Sequence, residues 1–259
     1  MTELLRKAID ASLKAGEAIM KVYNSSDFNI ELKDDNSPLT KADHASHEII
    51  AAALAETNIP VLSEEDSKNH SYDQRKAWKQ CWIVDPLDGT KEFIKRNGEF
   101  TVNIALVENG SPIMGVIFVP VKNQLYFAEK ENGAFLSADN NKTSVKLPSQ
   151  KLPLKFTIVG SRSHSSSETE AYVKEMENAH GEIDFLAAGS SLKFCLLAEG
   201  KAHSYPRFAP TMEWDTAAGQ IIVEEAGGKM VQWPSMSKFV YNREELRNGW
   251  FLATAGNSK

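Results

Sequence analysis

The run Cys81-Trp82-Ile83-Val84-Asp85-Pro86-Leu87-Asp88-Gly89-Thr90 constrains this chain more than any other. Four apolar residues, the length of a buried strand, lead straight into a carboxylate. Pro86 cannot donate to a ladder and is expected to stop the strand there. Asp88 follows three residues after Asp85, and Gly89 and Thr90 complete a tight turn. Two carboxylates at the end of a buried strand are costly unless positive charge compensates them. A hard divalent cation with oxygen ligands, such as Mg²⁺, answers that need. The Gly-Thr pair adds backbone N–H groups and a hydroxyl, which suits a phosphate held against metal. Asp-Pro and Asp-Gly are also ordinary turn formers, so the string alone leaves a plain turn open and the other acids must decide.

The chain has 259 residues, enough for one large domain or two tightly packed ones with a sizeable core. Its apolar share of 42% and charged share of 25% are those of a globular enzyme. A net charge of −6 argues against nucleic acid as a partner while leaving room for a local basic pocket. Cys81 and Cys195 lie far apart in apolar surroundings, away from any zinc spacing, and read as buried free thiols. So low a cysteine count fits a reducing compartment. Met1 to Lys7 carries acids and no continuous apolar stretch, unlike a signal peptide, and no apolar run reaches membrane-spanning length. We expect a cytoplasmic protein without stable membrane insertion. Loose peripheral association with the cytoplasmic face of the inner membrane stays open, and composition sets no oligomeric state.

Periodicity divides the chain into two halves, 1–136 and 150–259. Residues 2–23 predict an amphipathic helix, and Phe28, Ile30 and Leu32 a short strand. Asp34 to Pro38 predicts a loop, Thr40 to Leu54 a second helix, Val61-Leu62 a strand, and 68–80 a polar surface excursion. Thr101 to Val107, Ile113 to Val119 and Leu125 to Ala128, separated by turn residues, predict an antiparallel meander. The polar stretch Ser137 to Ser149 predicts the boundary. Beyond it strands (156–159, 183–186, 250–254) and helices (167–176, 191–198, 215–226) alternate, as in an α/β half.

Acids stand beside several of these turns: Asp43 near the start of the second helix, Glu64 and Glu65 after a short strand, and Asp215 opening a helix in Glu213-Trp214-Asp215-Thr216-Ala217-Ala218. Each has a plain explanation. Asp43 fits a capping box, Asp215 a helix cap or dipole partner, and Glu64-Glu65-Asp66 a solvated acidic loop. Their order and flanks nevertheless form one pattern. Asp85 to Thr90, Trp214-Asp215-Thr216-Ala217-Ala218 and Glu64-Glu65 together resemble the inositol monophosphatase superfamily of Mg²⁺-dependent, lithium-sensitive phosphatases, over nearly the whole chain. Within it the chain is most similar to the 3′(2′),5′-bisphosphate nucleotidase branch. That likeness rests on Thr40-Lys41-Ala42-Asp43, Gly160-Ser161-Arg162-Ser163-His164, Gly189-Ser190-Ser191-Leu192-Lys193-Phe194-Cys195, and Tyr205 to Phe208 leading through Pro210-Thr211-Met212 to Asp215.

The resemblance implies a layered αβαβα sandwich, with an antiparallel-sheet half and an α/β half. It implies two or three Mg²⁺ ions held by Glu64, Asp85, the Leu87 carbonyl, Asp88 and Asp215, with Asp85 bridging and Glu65 acting from behind. The implied chemistry is two-metal hydrolysis of a phosphate ester. Thr90, paired with Asp43, would position and help deprotonate the attacking water, with Glu64 beside them. Gly89 and Thr90 N–H groups would bind the phosphate, helped by the positive end of the helix that Asp215 opens. A nucleotide bisphosphate needs a second anionic subsite. Lys193 and Arg207 are the first candidates and Arg162 a third, with Ser190 and Ser191 N–H groups joining and Tyr205 and His164 near ribose or base. The implied reaction removes the 3′-phosphate of adenosine 3′,5′-bisphosphate in sulfur assimilation, with 3′-phosphoadenylyl sulfate as a further substrate. The rivals are an inositol monophosphatase or other sugar-phosphate phosphatase, and a metal-binding regulatory protein without catalysis. Intact Thr90 and Asp43 argue against the second, since metal binding alone needs neither.

Overall fold

Strand Thr101–Glu108 shows why this chain builds layers. Val102, Ile104 and Leu106 enter one core, and Ala105 and Val107 another, because successive strand side chains alternate between faces. Both faces are apolar, so both must be covered. In the computed structural model, which describes residues 1–25, 31–32, 38–139, 142–161 and 166–256, five layers do so. Helices Glu3–Tyr23 and Lys41–Ala55 form the first, burying Leu5, Ile9, Ile19, Ile50 and Leu54 with Trp82, Val84, Ile104, Val116 and Phe118. A Cβ on Gly16 would collide with the Phe118 ring, so only glycine lets the first helix approach this closely.

The second layer is a seven-stranded sheet in the order Val61–Ser63, Gln80–Asp88, Thr101–Glu108, Ser111–Val119, Gln124–Glu129, Gly133–Ser137, Val145–Lys146. Its neighbours are antiparallel except Val61–Ser63, which runs parallel to Gln80–Asp88. Helices Leu192–Glu199 and Ala217–Glu225 form the third layer, placing Phe194, Cys195, Ile221 and Ile222 with Ile83, Ala105, Ile117 and Tyr126. A five-stranded sheet, in the order Asp184–Ala187, Thr157–Gly160, Ser204–Arg207, Phe251–Thr254, Lys229–Gln232, is the fourth. Helix Ser167–His180 covers its outer face, packing Tyr172, Val173 and Met176 with Ile158, Phe208 and Leu252. This is the αβαβα sandwich expected.

Four local expectations need correcting. The strand does not stop at Pro86 but runs on to Asp88, and its register against Thr101–Glu108 shifts between Asp85 and Asp88. The bulge absorbs the proline, whose missing N–H costs no ladder bond there. Asp215 does not open a helix: it ends a single 3₁₀ turn, Glu213–Asp215, and the helix begins at Ala217. The 68–80 excursion is not only surface, since it contains helix Tyr72–Arg75 and Arg75 is buried. Pro38 pairs with Leu32 in a short ladder rather than ending a loop. Strands Ser204–Arg207 and Lys229–Gln232 were not anticipated, and the first sheet continues through the expected boundary to Lys146. The expected strand residues Phe28 and Ile30, the loop residues 34–37, Arg162, Ser163 and His164 lie outside the described residues.

Candidate active site

In a regular strand, residues three apart face opposite sides. The bulge at Pro86 changes that aim. Asp85, Asp88 and Asp215 each bring a carboxylate oxygen to within 4.8 Å of the others'. Each has a neutral donor that fixes its orientation. Leu87 N–H donates to Asp85 Oδ1 at 3.1 Å, Ser191 Oγ to Asp88 Oδ2 at 2.8 Å, and Met212 N–H to Asp215 Oδ2 at 2.7 Å. Burial, reinforced by the Asp88 charge and more weakly by Glu64, pushes the Asp215 carboxyl well above the usual carboxylate range. Three crowded carboxylates, Asp85 buried and Asp88 and Asp215 half-buried, form an all-oxygen donor set that fits a hard cation. Glu64 follows the parallel edge strand Val61–Ser63, its N–H bonded to Val84 O at 3.1 Å, and its carboxylate is not part of this three-acid cluster. The Leu87 carbonyl sits in the same turn, 3.4 Å from Thr90 Oγ1.

Asp43 has two roles at once. Its Oδ2 accepts Thr40 N–H at 2.8 Å and Thr40 Oγ1 at 2.6 Å, closing the capping box. Its Oδ1 accepts Thr90 Oγ1 at 3.1 Å, across 47 residues of sequence. The cap therefore presents a fixed, buried carboxylate to the hydroxyl that follows the acidic turn. Gly89 has φ +95°, and a Cβ there would collide with Ser190 Oγ, so the turn requires glycine.

The second sheet and third layer bring the basic groups to the same cleft. Asp88, Asp215, Ser190, Ser191, Lys193 and Arg207 all line one cavity of about 150 Å³. Lys193 Nζ donates to Ser190 O at 2.6 Å and Ala188 O at 3.3 Å, and lies 5.5 Å from the Tyr205 ring centroid. Two of its three donors are thus engaged, and burial lowers its ammonium to about 8. Arg207 Nε is buried and has no hydrogen-bond partner among the described residues. A neighbouring cavity of about 340 Å³ shares Ser161, Tyr205 and Arg207 and adds Val173, Phe185 and Pro206.

Several bracing residues escaped the sequence reading. Asn103 Nδ2 donates to Ser191 Oγ at 2.9 Å, which leaves the Ser191 proton for Asp88. Thr101 Oγ1 donates to Asn103 Oδ1 at 2.9 Å. Ser46 Oγ donates to Pro86 O at 2.6 Å, and Glu99 Oε2 accepts Gly189 N–H at 2.9 Å. Thr101 and Asn103 did carry a signal: they are two polar residues at alternate positions on one face of an otherwise apolar strand. Ser46 carried none.

Comparison with known proteins follows the same lines. Residues 1–254 match the model of the inositol monophosphatase family. The 3′(2′),5′-bisphosphate nucleotidase CysQ of Salmonella typhimurium is 42% identical over 254 residues, covering 97% of this chain and 99% of that one. Its counterpart in Escherichia coli K12 is 43% identical, covering 96% and 98%. The crystal structure of CysQ from Bacteroides thetaiotaomicron, described as a bacterial member of the same family, superposes with a TM-score of 0.89 at 50% identity, covering 98% of each chain. The inositol monophosphatase of Thermotoga maritima shares the fold, with a TM-score of 0.76 at 23% identity. By sequence, fold and the arrangement of its acids, the chain belongs to the inositol monophosphatase family.

Proposed function

We propose that this chain is a 3′(2′),5′-bisphosphate nucleotidase, a Mg²⁺-dependent phosphatase that converts adenosine 3′,5′-bisphosphate to AMP and phosphate. The observation that carries the reading is one cavity whose lining holds both an acidic wall, Asp88 and Asp215, and a basic wall, Lys193 and Arg207. A substrate with two separated phosphates satisfies both walls, and the CysQ relatives are named for such a substrate. A simple sugar phosphate would leave the basic wall without an anion.

Asp85, Asp88, Asp215, Glu64 and the Leu87 carbonyl would hold two or three Mg²⁺ ions. Bound there, the metal lowers the pKa of water and offsets charge on the phosphoryl oxygens. The remaining work belongs to the chain. Thr90 Oγ1 donates to Asp43 Oδ1, so its lone pairs are left to accept a hydrogen bond from the attacking water. Asp43, fixed by the Thr40 cap, would take the proton through Thr90. Backbone N–H groups of Gly89 and Thr90 would hold the phosphate being cut. Lys193, Arg207 and the N–H groups of Ser190 and Ser191 would hold the other. The 340 Å³ cavity beside Arg207, with Phe185, Pro206 and Val173 in its walls, would receive the base. The 5′-sulfated analogue, 3′-phosphoadenylyl sulfate, has the same anion spacing and would be a further substrate, placing the enzyme in sulfur assimilation. Two buried free thiols, Cys81 and Cys195, support a reducing, cytoplasmic setting. Among the described residues no helix is long and apolar enough to cross a membrane.

Phosphate release from adenosine 3′,5′-bisphosphate with Mg²⁺, the nucleotide product being identified by mass spectrometry and ³¹P NMR, tests this directly. AMP as the product, formed with Mg²⁺ and not with a chelator, is expected. Adenosine 3′-phosphate as the product, or full activity in the chelator, would refute it.

A further inference from the structure

Residues 242–248 brace the Asp215 turn. Glu213 opens that turn and is fully buried. Its Oε2 accepts Asn242 N–H at 2.6 Å, and its Oε1 accepts both Arg243 N–H and Arg243 Nε–H at 3.1 Å. Glu213 N–H donates to Leu246 O at 3.0 Å, and Asn248 Nδ2 donates to Met212 O at 2.8 Å.

The same segment is gripped from the other half of the molecule. Arg75 lies between strands Val61–Ser63 and Gln80–Asp88, just ahead of the strand that carries Asp85 and Asp88. Its Nη1 donates to Asn242 Oδ1 at 3.0 Å and Arg243 O at 2.9 Å, its Nη2 to Glu244 O at 3.3 Å and its Nε to His70 O at 3.1 Å. Asn242 Nδ2 returns a bond to Arg75 O at 2.8 Å. Arg75 is only 3% exposed and touches none of the acids of the triad by any of these bonds.

We propose that Arg75 is a positioning residue for the metal centre, acting through residues 242–244 and Glu213 on Asp215. Asp85 and Asp88 come from the first sheet, and Asp215 from the turn that leads into the third-layer helix Ala217–Glu225. A planar guanidinium with fixed donors is suited to hold two such segments in register. Outer groups that orient metal ligands typically change metal affinity about 10–100-fold when removed. The inference rests on the metal-centre reading above.

Mn²⁺ binding, read by the EPR signal of the free ion, is measured on the full chain alongside the Mg²⁺ dependence of phosphate release. The variants are Arg75→Ala, Arg75→Lys and Glu213→Gln, with Asp215→Asn as reference. Arg75→Ala and Glu213→Gln are expected to weaken Mn²⁺ binding about 10–100-fold and to raise the Mg²⁺ midpoint alike. Their kcat at saturating Mg²⁺ stays within about threefold, under 1 kcal/mol of barrier. Arg75→Lys keeps the charge without the fork and falls between. If Arg75→Ala does not fold, Asn242→Ala, which removes both side-chain bonds to Arg75, carries the same expectation. Wild-type Mn²⁺ affinity in a folded Arg75 or Asn242 variant, or lost kcat with unchanged affinity, overturns the relay. If Asp215→Asn also binds Mn²⁺ like the wild type, the metal-centre reading itself fails, and the relay with it.

Discussion

The two ends of the cleft are built differently. At the acidic end nearly every group is already held. Asp43 accepts three hydrogen bonds from Thr40 and Thr90, and Asp85, Asp88 and Asp215 each have a donor that fixes their aim. At the basic end donors are left over. Lys193 leans on two carbonyls, Arg207 Nε has no partner among the described residues, and Phe185, 49% exposed, lines the neighbouring cavity with Arg207. An unmade hydrogen bond on a buried donor is expensive, and a ligand anion removes that cost. Under the proposed function, the contrast would separate a preorganised chemical end from a recognition end completed by substrate.

If that division is right, substitutions at the acidic end strike turnover and those at the basic end strike substrate affinity. The largest effect is expected for Asp85→Asn. Losing the several kcal/mol that metal stabilisation supplies corresponds to about 10⁴-fold in phosphate release at 1.36 kcal/mol per decade. Thr90→Ala comes next. It should lower kcat by about 10²–10³-fold with Mg²⁺ affinity unchanged, as a Mg²⁺ titration of initial rates would show. A kcat within threefold would reduce Thr90 to a turn residue and blur the division.

The pH dependence sharpens the other side. The Lys193 ammonium, lowered from 10.5 to about 8 chiefly by burial, is charged below that pH and neutral above it. The phosphates' second ionisation, near pH 6, is essentially complete by pH 8, so nothing compensates the loss. The kcat/KM for the bisphosphate should therefore fall above pH 8, by up to about 10–100-fold for one charge-assisted contact of 1.5–3 kcal/mol, with KM carrying the change. Fold stability takes the opposite sign. The unfolded chain keeps that proton up to 10.5, so this group makes stability rise between 8 and 10.5. The smallest effect is expected for Phe185→Ala. A lost aromatic contact of about 0.5–1.5 kcal/mol raises nucleotide KM about two- to tenfold and leaves kcat alone, which Michaelis–Menten curves resolve.

The acidic end was also the more legible in the sequence. Asp85 to Thr90 is one contiguous string, and its residue types announce their chemistry wherever the backbone goes. What the string could not show was the bulge at Pro86, because whether a proline ends a strand or sits in a register shift depends on the partner strand. The start at Asp215 was misread for a similar reason: a 3₁₀ turn and a first helical turn look alike until Met212 N–H is seen to cap the carboxylate. Strand Ser204–Arg207 was missed since it is short and contains Pro206, tolerated where it pairs with Leu252. Arg75 and Glu213 were invisible as partners, because their link through residues 242–244 depends on tertiary packing alone.

The central claim is that the basic wall selects a second phosphate. It is tested most directly by the ratio of kcat/KM for adenosine 3′,5′-bisphosphate to that for inositol 1-phosphate, in wild type and in the Lys193→Ala, Arg207→Ala double variant. Two charge-assisted contacts of 1.5–3 kcal/mol each predict a wild-type ratio of about a hundred or more, falling towards unity in the double variant, with AMP left intact by both. Equal turnover of the two substrates by the wild type would contradict the account and move the assignment to a sugar-phosphate phosphatase. A double variant that keeps the full ratio would show that the second phosphate binds elsewhere.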